Sequence, residues 1–163
     1  MPRASDLDAD AVITQLNLIL ESELAGVVRY THYSLMVFGY SRIPIVSWFR
    51  DQANETLIHA QQAGELVTRL GGHPSLAIGP LLETHRHDIR EILEETLKAE
   101  VTTLEFYYGL LDLVRDRSVP LEEYARGMIQ QEEEHVDEID KMLRQPGQIA
   151  VSKEAESLIS GTR

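Results

Sequence analysis

The chain has 163 residues, a formal net charge of -12 and no cysteine. One domain with a single core fits that length, and 43% hydrophobic residues with 26% charged make it too apolar for a disordered chain. A disulfide framework and a thiolate metal site are both excluded, so any metal must be held by carboxylate and imidazole, which suit iron, manganese or zinc.

Basic residues are scattered rather than clustered, so nucleic-acid binding through phosphate contacts is not expected. The opening MPRASDLDAD has no apolar run of signal-peptide length, and no later stretch reaches roughly 18 uninterrupted apolar residues. A cytoplasmic protein with no membrane partner is the simplest expectation.

Long segments with helical apolar spacing, separated by strong breakers, predict an all-α architecture. The first helix should begin after Ser5 or Asp8 as cap and run to about Tyr40, with Leu16, Leu20, Val27 and Tyr30 on one seam. The second should span about 45–70 and stop at Gly71-Gly72, with His73-Pro74 confirming the stop. A third should run from near Thr84 to about Arg117. The fourth should start near Pro120, which a first turn tolerates, and end before Pro146-Gly147. These make a bundle domain of residues 1–145, followed by a tail of 146–163 that can form one short fifth helix around Lys153 to Ser160.

Connection lengths set the topology. Short links make the first and second helices antiparallel neighbours, and likewise the third and fourth. Between the second and third, about twelve residues from Gly72 to Glu83 reach roughly 40 Å when extended. That is about the length of the second helix at about 1.5 Å per residue, so the link can cross the whole bundle and start the third helix parallel to the second.

Each seam is interrupted by a polar group, and buried ionisable groups are costly unless paired or bound to metal. The first helix reads Leu16, Leu20, Glu23, Val27, Tyr30, Ser34, Val37, and the second Phe49, Gln52, Thr56, His59, Ala63, Leu66, Leu70. The third reads Leu93, Leu97, Glu100, Leu104, Tyr108, Leu111, and the fourth Tyr124, Met128, Glu132 or Gln131, His135, Ile139, Met142. Glu132 and His135 are three apart and share a face. Singly, each has an ordinary reading: a carboxylate bonded to a neighbouring helix, with Tyr30 or Tyr108 as donor, or a partly buried histidine. Together they match a two-metal site in a bundle core, because three carboxylates meeting there repel one another unless cations offset them.

At these residues the chain resembles the ferritin-like superfamily, and bacterioferritins in particular, over about residues 10–145. Glu-Leu-Ala-x-x-x-x-Tyr at 23–30 resembles the first-helix motif and His59-Ala60 the second. Gly72-His73-Pro74-Ser75-Leu76 resembles the start of the crossover, Glu100 the third-helix ligand, and Glu132-Glu133-Glu134-His135 the fourth-helix motif. The resemblance implies a ferritin-like four-helix bundle with one long crossover. It implies Glu23 and His59 as terminal ligands of one iron, Glu100 and His135 of the other, and Glu132 as the bridge, the same five residues being the catalytic set of a ferroxidase.

Two departures stand out. The family's second-helix motif is Glu-x-x-His, and the position three before His59 is Thr56. Three carboxylates then face two ferrous ions, so binding of the second metal is expected to weaken and oxidation to slow or uncouple rather than binding to vanish. Glu55 lies one residue, about 100°, off the seam and resembles a residue facing a cage interior. Bacterioferritins also bind haem through a methionine next to the missing glutamate. Leu57 stands there and offers no sulfur, so haem in that manner is not expected.

The implied protein is an iron storage and detoxification subunit, a homo-oligomer forming a ferritin-type 24-subunit cage with iron as its cofactor. Two other readings use the same residues: a non-cage di-metal oxidase or peroxidase of the rubrerythrin type, and a structural cage subunit with a degenerate site.

Overall fold

A computed structural model describes residues 6–81 and 83–160. It holds five helices: α1 Ala9–Met36, α2 Arg42–Arg69, α3 Ile89–Val114, α4 Val119–Leu143 and α5 Lys153–Ser160. Asp8 caps α1 by accepting from the Ala11 amide at 3.0 Å. Ser5, the other candidate cap, lies outside the described residues.

Two helix ends differ from expectation. α1 stops at Met36 instead of Tyr40, because Val37 is extended and Gly39 turns the chain at φ +93°. The Arg42 guanidinium then donates to the Val37 carbonyl at 2.6 Å, satisfying one of the groups beyond the helix end. α3 starts at Ile89 rather than Thr84, with Asp88 capping the Arg90 amide at 2.9 Å. Thr84 is a tether instead, donating its amide and hydroxyl to the Glu95 carboxylate at 3.3 and 2.8 Å. The crossover is therefore longer than the twelve residues expected, running from Leu70 to Asp88.

Hydrogen bonds fix the crossover's direction along α1. Asn17 donates to the His73 carbonyl at 3.1 Å and accepts from the Ser75 amide at 2.8 Å. Further along, the Gly79 amide donates to the Glu21 carbonyl at 2.8 Å, and Arg29 donates to the Pro80 carbonyl at 3.0 Å. Glycine allows this close approach at 79: a Cβ there would sit 3.3 Å from the Glu21 carbonyl oxygen and 3.4 Å from the Ser22 Cα, tight enough to push the two segments slightly apart. The link thus travels the same way as α1 and delivers α3 antiparallel to it. Tyr33 meets Glu95, Tyr30 meets Glu100 and Tyr107 meets Glu23. This is the long-crossover bundle that the link length implied.

The apolar core comes in two halves. One gathers Leu16, Ile19, Ala63, Val67, Leu110, Val114 and Met128; the other gathers Tyr33, Phe49, Ile92, Leu97, Val136 and Ile139. Glu23, Thr56, His59, Glu100 and Glu132, all buried, belong to neither. α5 closes the second half: Ala155 joins it, and the Asp140 carboxylate accepts from the Ser152 amide at 2.7 Å while gripping Arg144. α1 has the length and apolarity of a membrane-crossing helix, with mean hydropathy 1.4, but its buried stripe includes Glu23, Arg29 and Ser34 and is packed inside the bundle.

Glu95 is a buried carboxylate that the seams did not single out, held by the Tyr33 hydroxyl and by Thr84. Burial and the adjoining Glu95 carboxylate push the Tyr33 phenol well above its usual range. Tyr33→Phe leaves one Glu95 oxygen without its donor, which typically costs about 1–3 kcal/mol. Urea unfolding is expected to show a loss of that size; an unchanged midpoint would remove Glu95 as the fastener of the crossover.

Candidate metal centre

The polar layer is built one helix at a time. Glu23 sits mid-way along α1 and His59 past the middle of α2. Glu100 lies near the centre of α3, with Glu132 and His135 one turn apart on α4. The structure brings all five together as two three-donor groups that share Glu132: Glu23, His59 and Glu132 on one side, Glu100, Glu132 and His135 on the other. Within each group the donor atoms lie within 4.8 Å of one another.

Glu132 divides its two oxygens between the imidazoles. Oε1 lies 3.2 Å from His59 Nδ1, and Oε2 lies 3.4 Å from His135 Nδ1. Glu23 Oε1 is 3.7 Å from His59 Nδ1, and Glu100 Oε2 is 3.9 Å from His135 Nδ1. The two rings stand nearly parallel, at 19° with centroids 6.1 Å apart. His59 Nδ1 and Glu132 Oε1 are buried and make no hydrogen bond despite their closeness. Polar atoms stranded in a core call for an explanation, and a cation between them supplies one.

Outer contacts orient the same side chains. Tyr107 donates to Glu23 at 2.6 Å, and Tyr30 donates to Glu100. The far ring nitrogens face acceptors: His59 Nε2 lies 3.2 Å from the Gln131 side-chain oxygen, and His135 Nε2 lies 3.3 Å from Glu55. An imidazole that donates from Nε2 keeps Nδ1 free for a metal, an arrangement common to histidine ligands. The residues therefore fit a pair of first-row divalent ions with oxygen and nitrogen donors.

Without metal, protons take over part of that role. Burial pushes the Glu23 carboxyl up to about 7, partly relieved by His59. Burial opposes charge on His59, yet Glu132 and Glu23 outweigh it and push the imidazole up to about 10. At His135 burial is likewise outweighed, by Glu100 and Glu132, and the value rises to about 11. Burial would raise Glu100 too, but His135, Glu132 and Tyr30 bring it below the usual carboxylate range.

The structure resolves several points that the seams left open. Glu132, not Gln131, is the buried α4 residue; Gln131 is exposed and touches His59 from outside. Tyr108 is 44% exposed and donates to Glu133 on the surface, so Tyr107 is the α3 tyrosine that serves the site. The seam steps 93, 97, 100 and 104 alternate four and three, and continuing that alternation reaches 107 rather than 108. Thr56, the position at which the family resemblance implies a second bridging carboxylate, is buried. Its methyl packs so closely on α1 that a Cβ at Gly26 would lie 2.8 Å from it. Glu55 is 41% exposed at its side chain and sits on the Nε2 side of the rings, away from the inner donor atoms. Leu57 is exposed.

Residues 13–149 match the family model of the ferritin-like domain. Among solved structures, the chain is similar to a ferritin-like diiron-carboxylate protein of Bacillus anthracis str. Ames. The TM-score is 0.79 at 24% identity, covering 88% of this chain and 100% of that one. It is also similar to a dodecameric thioferritin, the bacterioferritin-related protein of Bacteroides fragilis, with TM-score 0.71 and 20% identity over 96% and 89% of the two chains. A third similar structure is Rhodobacter capsulatus bacterioferritin, described with a metal-free dinuclear site and heme iron, at TM-score 0.72 and 26% identity over 81% and 82%. A comparison with curated proteins finds no match. With its four long helices, long crossover and polar layer, the chain belongs to the ferritin-like domain family.

Proposed function

We propose that this chain is a bacterioferritin-like iron storage and detoxification subunit that works in the cytoplasm as a homo-oligomeric cage. The observation that supports this best is Glu132, buried between two imidazoles with one oxygen turned to each. In this reading Glu23 and His59 hold one ferrous ion, Glu100 and His135 hold the other, and Glu132 bridges them. Bound there, ferrous iron supplies electrons to oxygen or peroxide, and ferric iron moves on as mineral.

The protein's own part is positioning and charge. Tyr107 and Tyr30 fix the two terminal carboxylates, and the apolar halves above and below keep bulk water away. His135, with 12% of its side chain exposed, is the most open of the five, and Glu55 lies over it at the surface. Iron is therefore expected to arrive along the α2/α4 seam. No Cα of α2 comes within 8 Å of one in α4 among the described residues.

Thr56 leaves three carboxylates inside, against four positive charges on two ferrous ions. Glu55 offsets part of that deficit from outside, one imidazole away. Assembly is supported by the outward apolar side chains Val28, Leu35, Leu57 and Ile58 on α1 and α2, surface that packing between subunits would bury. The similar thioferritin of Bacteroides fragilis, described as dodecameric, is a precedent for a large oligomer built on this fold.

Four measurements test this reading. Oxygen-dependent oxidation of added ferrous iron should run faster in Thr56→Glu than in the natural chain, and no gain from the added carboxylate would sink the ferroxidase assignment. In Glu55→Gln, metal affinity should fall about 10- to 100-fold, the usual cost of losing a partner behind a histidine ligand. A sizing column run alongside should show a cage-sized particle, whereas a small oligomer would favour a rubrerythrin-type oxidase.

A pH profile supplies the fourth measurement. His59 and His135, ordinarily near 6.5, rise to about 10 and 11 in the folded metal-free protein, and Glu23 rises from 4.5 to about 7. In each case the folded state holds more protons than the unfolded chain, so stability falls as pH rises. Glu23 acts between about 4.5 and 7, and the histidines act from about 6.5 upward; Glu100, shifted down, opposes this only on the acid side. The melting temperature of EDTA-treated protein should therefore drop from pH 6.5 to 9.5, by at least the roughly 2–4 °C that 1 kcal/mol represents in a chain of this size. Excess zinc, which replaces those protons, should flatten the drop. A flat or rising curve without metal would contradict the assigned pairing.

A further inference from the structure

A second group of metal-binding side chains lies outside the polar layer, where the crossover ends. His32 belongs to neither core nor centre; it is half-buried on the outer side of α1, facing Glu83 and His87. Its Nε2 is 2.9 Å from Glu83 Oε2, and His87 Nε2 is 3.7 Å from Glu83 Oε1. One donor atom from each of the three residues lies within 4.8 Å of the other two, and the two rings meet edge-on with centroids 5.7 Å apart.

We propose that His32, Glu83 and His87 form a second divalent-cation site, of zinc type, that staples the end of the crossover to α1. The donor chemistry is that of zinc: two neutral imidazoles, one carboxylate and room for a water in the fourth position. At zinc bond lengths of about 2.0–2.2 Å, tetrahedral ligands stand roughly 3.3 Å from each other. The spacings of 2.9 and 3.7 Å bracket that value, so side-chain adjustment of a few tenths of an ångström closes these two pairs around an ion.

Two further observations distinguish this group from an ordinary surface ion pair. The Nε2 atoms of both His32 and His87 are shut off from solvent, and neither has a hydrogen bond. Both Glu83 oxygens are also engaged: Oε2 faces His32, while Oε1 faces His87 and, at 3.9 Å, the exposed ring of His85. A cavity of about 210 Å³ beside His32 and Glu83, lined also by Val28, Arg29, Tyr33 and Leu81, gives an ion and its water a route from the surface. Arg29 is the opposing positive charge there, and it donates to the Pro80 carbonyl. His85, at φ +57°, donates its amide to Glu83 and helps aim that carboxylate.

The staple has a mechanical purpose. Residues 83–88 have no regular structure and are tied to α3 through Thr84 and Glu95. A cation held by His32 would tie them to α1 as well, fixing the start of α3 and with it the height of Glu100.

Equilibrium dialysis of the EDTA-stripped full chain against zinc tests the site. The natural chain should bind one zinc per subunit more than His32→Ala/His87→Ala, and Glu83→Gln should weaken that one zinc at least tenfold. In zinc-soaked crystals an anomalous peak should stand between His32 Nε2 and His87 Nε2, and it should be lost in the double variant while peaks at the centre persist. Equal stoichiometry in the two proteins overturns the proposal, as does a peak confined to the centre or a surface peak with no counterpart in solution. Circular dichroism of the double variant should match the natural chain. If it does not, the Glu83→Gln dialysis decides, and unchanged binding there overturns the site.

Discussion

Five ionisable side chains meet inside an apolar bundle, and their mutual charge has to be neutralised for the fold to hold. Two like charges about 4 Å apart at an effective dielectric of 20 cost roughly 4 kcal/mol, against a total stability of about 5–15 kcal/mol for an ordinary domain. Three carboxylates therefore cannot share that layer bare. Glu132, between two imidazoles at 3.2 and 3.4 Å, is the member through which the balance runs. Protons on His59, His135 and Glu23 provide the balance in the metal-free protein, and divalent ions can provide it in the loaded one. Binding and proton release are then one equilibrium seen from two sides.

The rest of the architecture follows from holding that layer at one height. The core is split into an apolar half on either side of it, so the four helices cannot slide against one another without carrying a charge into hydrocarbon. Register is reinforced by tyrosines that bond across helices, Tyr107 to Glu23 and Tyr30 to Glu100. The crossover contributes by running along α1 through Asn17, Glu21 and Arg29, which sets α3 antiparallel to α1 and brings Glu100 level with Tyr30. The α2/α4 seam is the loosest, and it is spanned by His59, Gln131, Glu55 and His135 rather than by close backbone packing.

What the sequence made legible was what periodicity and breakers report. Glu23, Glu100 and Glu132 interrupt otherwise apolar seams, and a carboxylate inside such a seam is visible at once. Gly71, at φ +81°, ends α2 where a left-handed residue was expected. Glu95 was missed because it sits off the main seam of α3 in a run with Glu91 and Glu94, where its burial depends on Tyr33 and Thr84 arriving from elsewhere. The Tyr107–Tyr108 pair shows the limit of a 3.6-residue period, since adjacent aromatic residues compete for one inward position. Helix ends at Met36 and Ile89 were set by Arg42, Gly39 and Asp88, whose cap geometry local spacing does not specify. His32 and His87 were unreadable for a plainer reason: 55 positions separate them, and only the path of the crossover brings them to one carboxylate.

Set against the carboxylate that the family resemblance implies at this position, Thr56 together with Glu55 amounts to a relocation of charge rather than a simple loss. Thr56 is buried with its methyl against Gly26, and a Cβ on that glycine would lie 2.8 Å from the methyl. The small side chain thus suits tight packing of α1 on α2 at the level of the site. The negative charge missing there reappears one residue earlier: Glu55 touches His135 Nε2 at 3.3 Å and lies 3.8 Å from His59 Nε2. A carboxylate behind an imidazole increases the donor strength of the ring's other nitrogen, so in the proposed centre Glu55 would act on a bound metal through both histidines rather than as a ligand. It is also half-exposed, and its field extends to the surface where a cation would first arrive. A layout with three charges inside and one at the door lowers the inner repulsion when no metal is bound and weakens the hold on a second metal when one is. Under the proposed function, the same pair of residues, Glu55 and Thr56, would set both the stability of the metal-free bundle and the readiness with which iron passes through it.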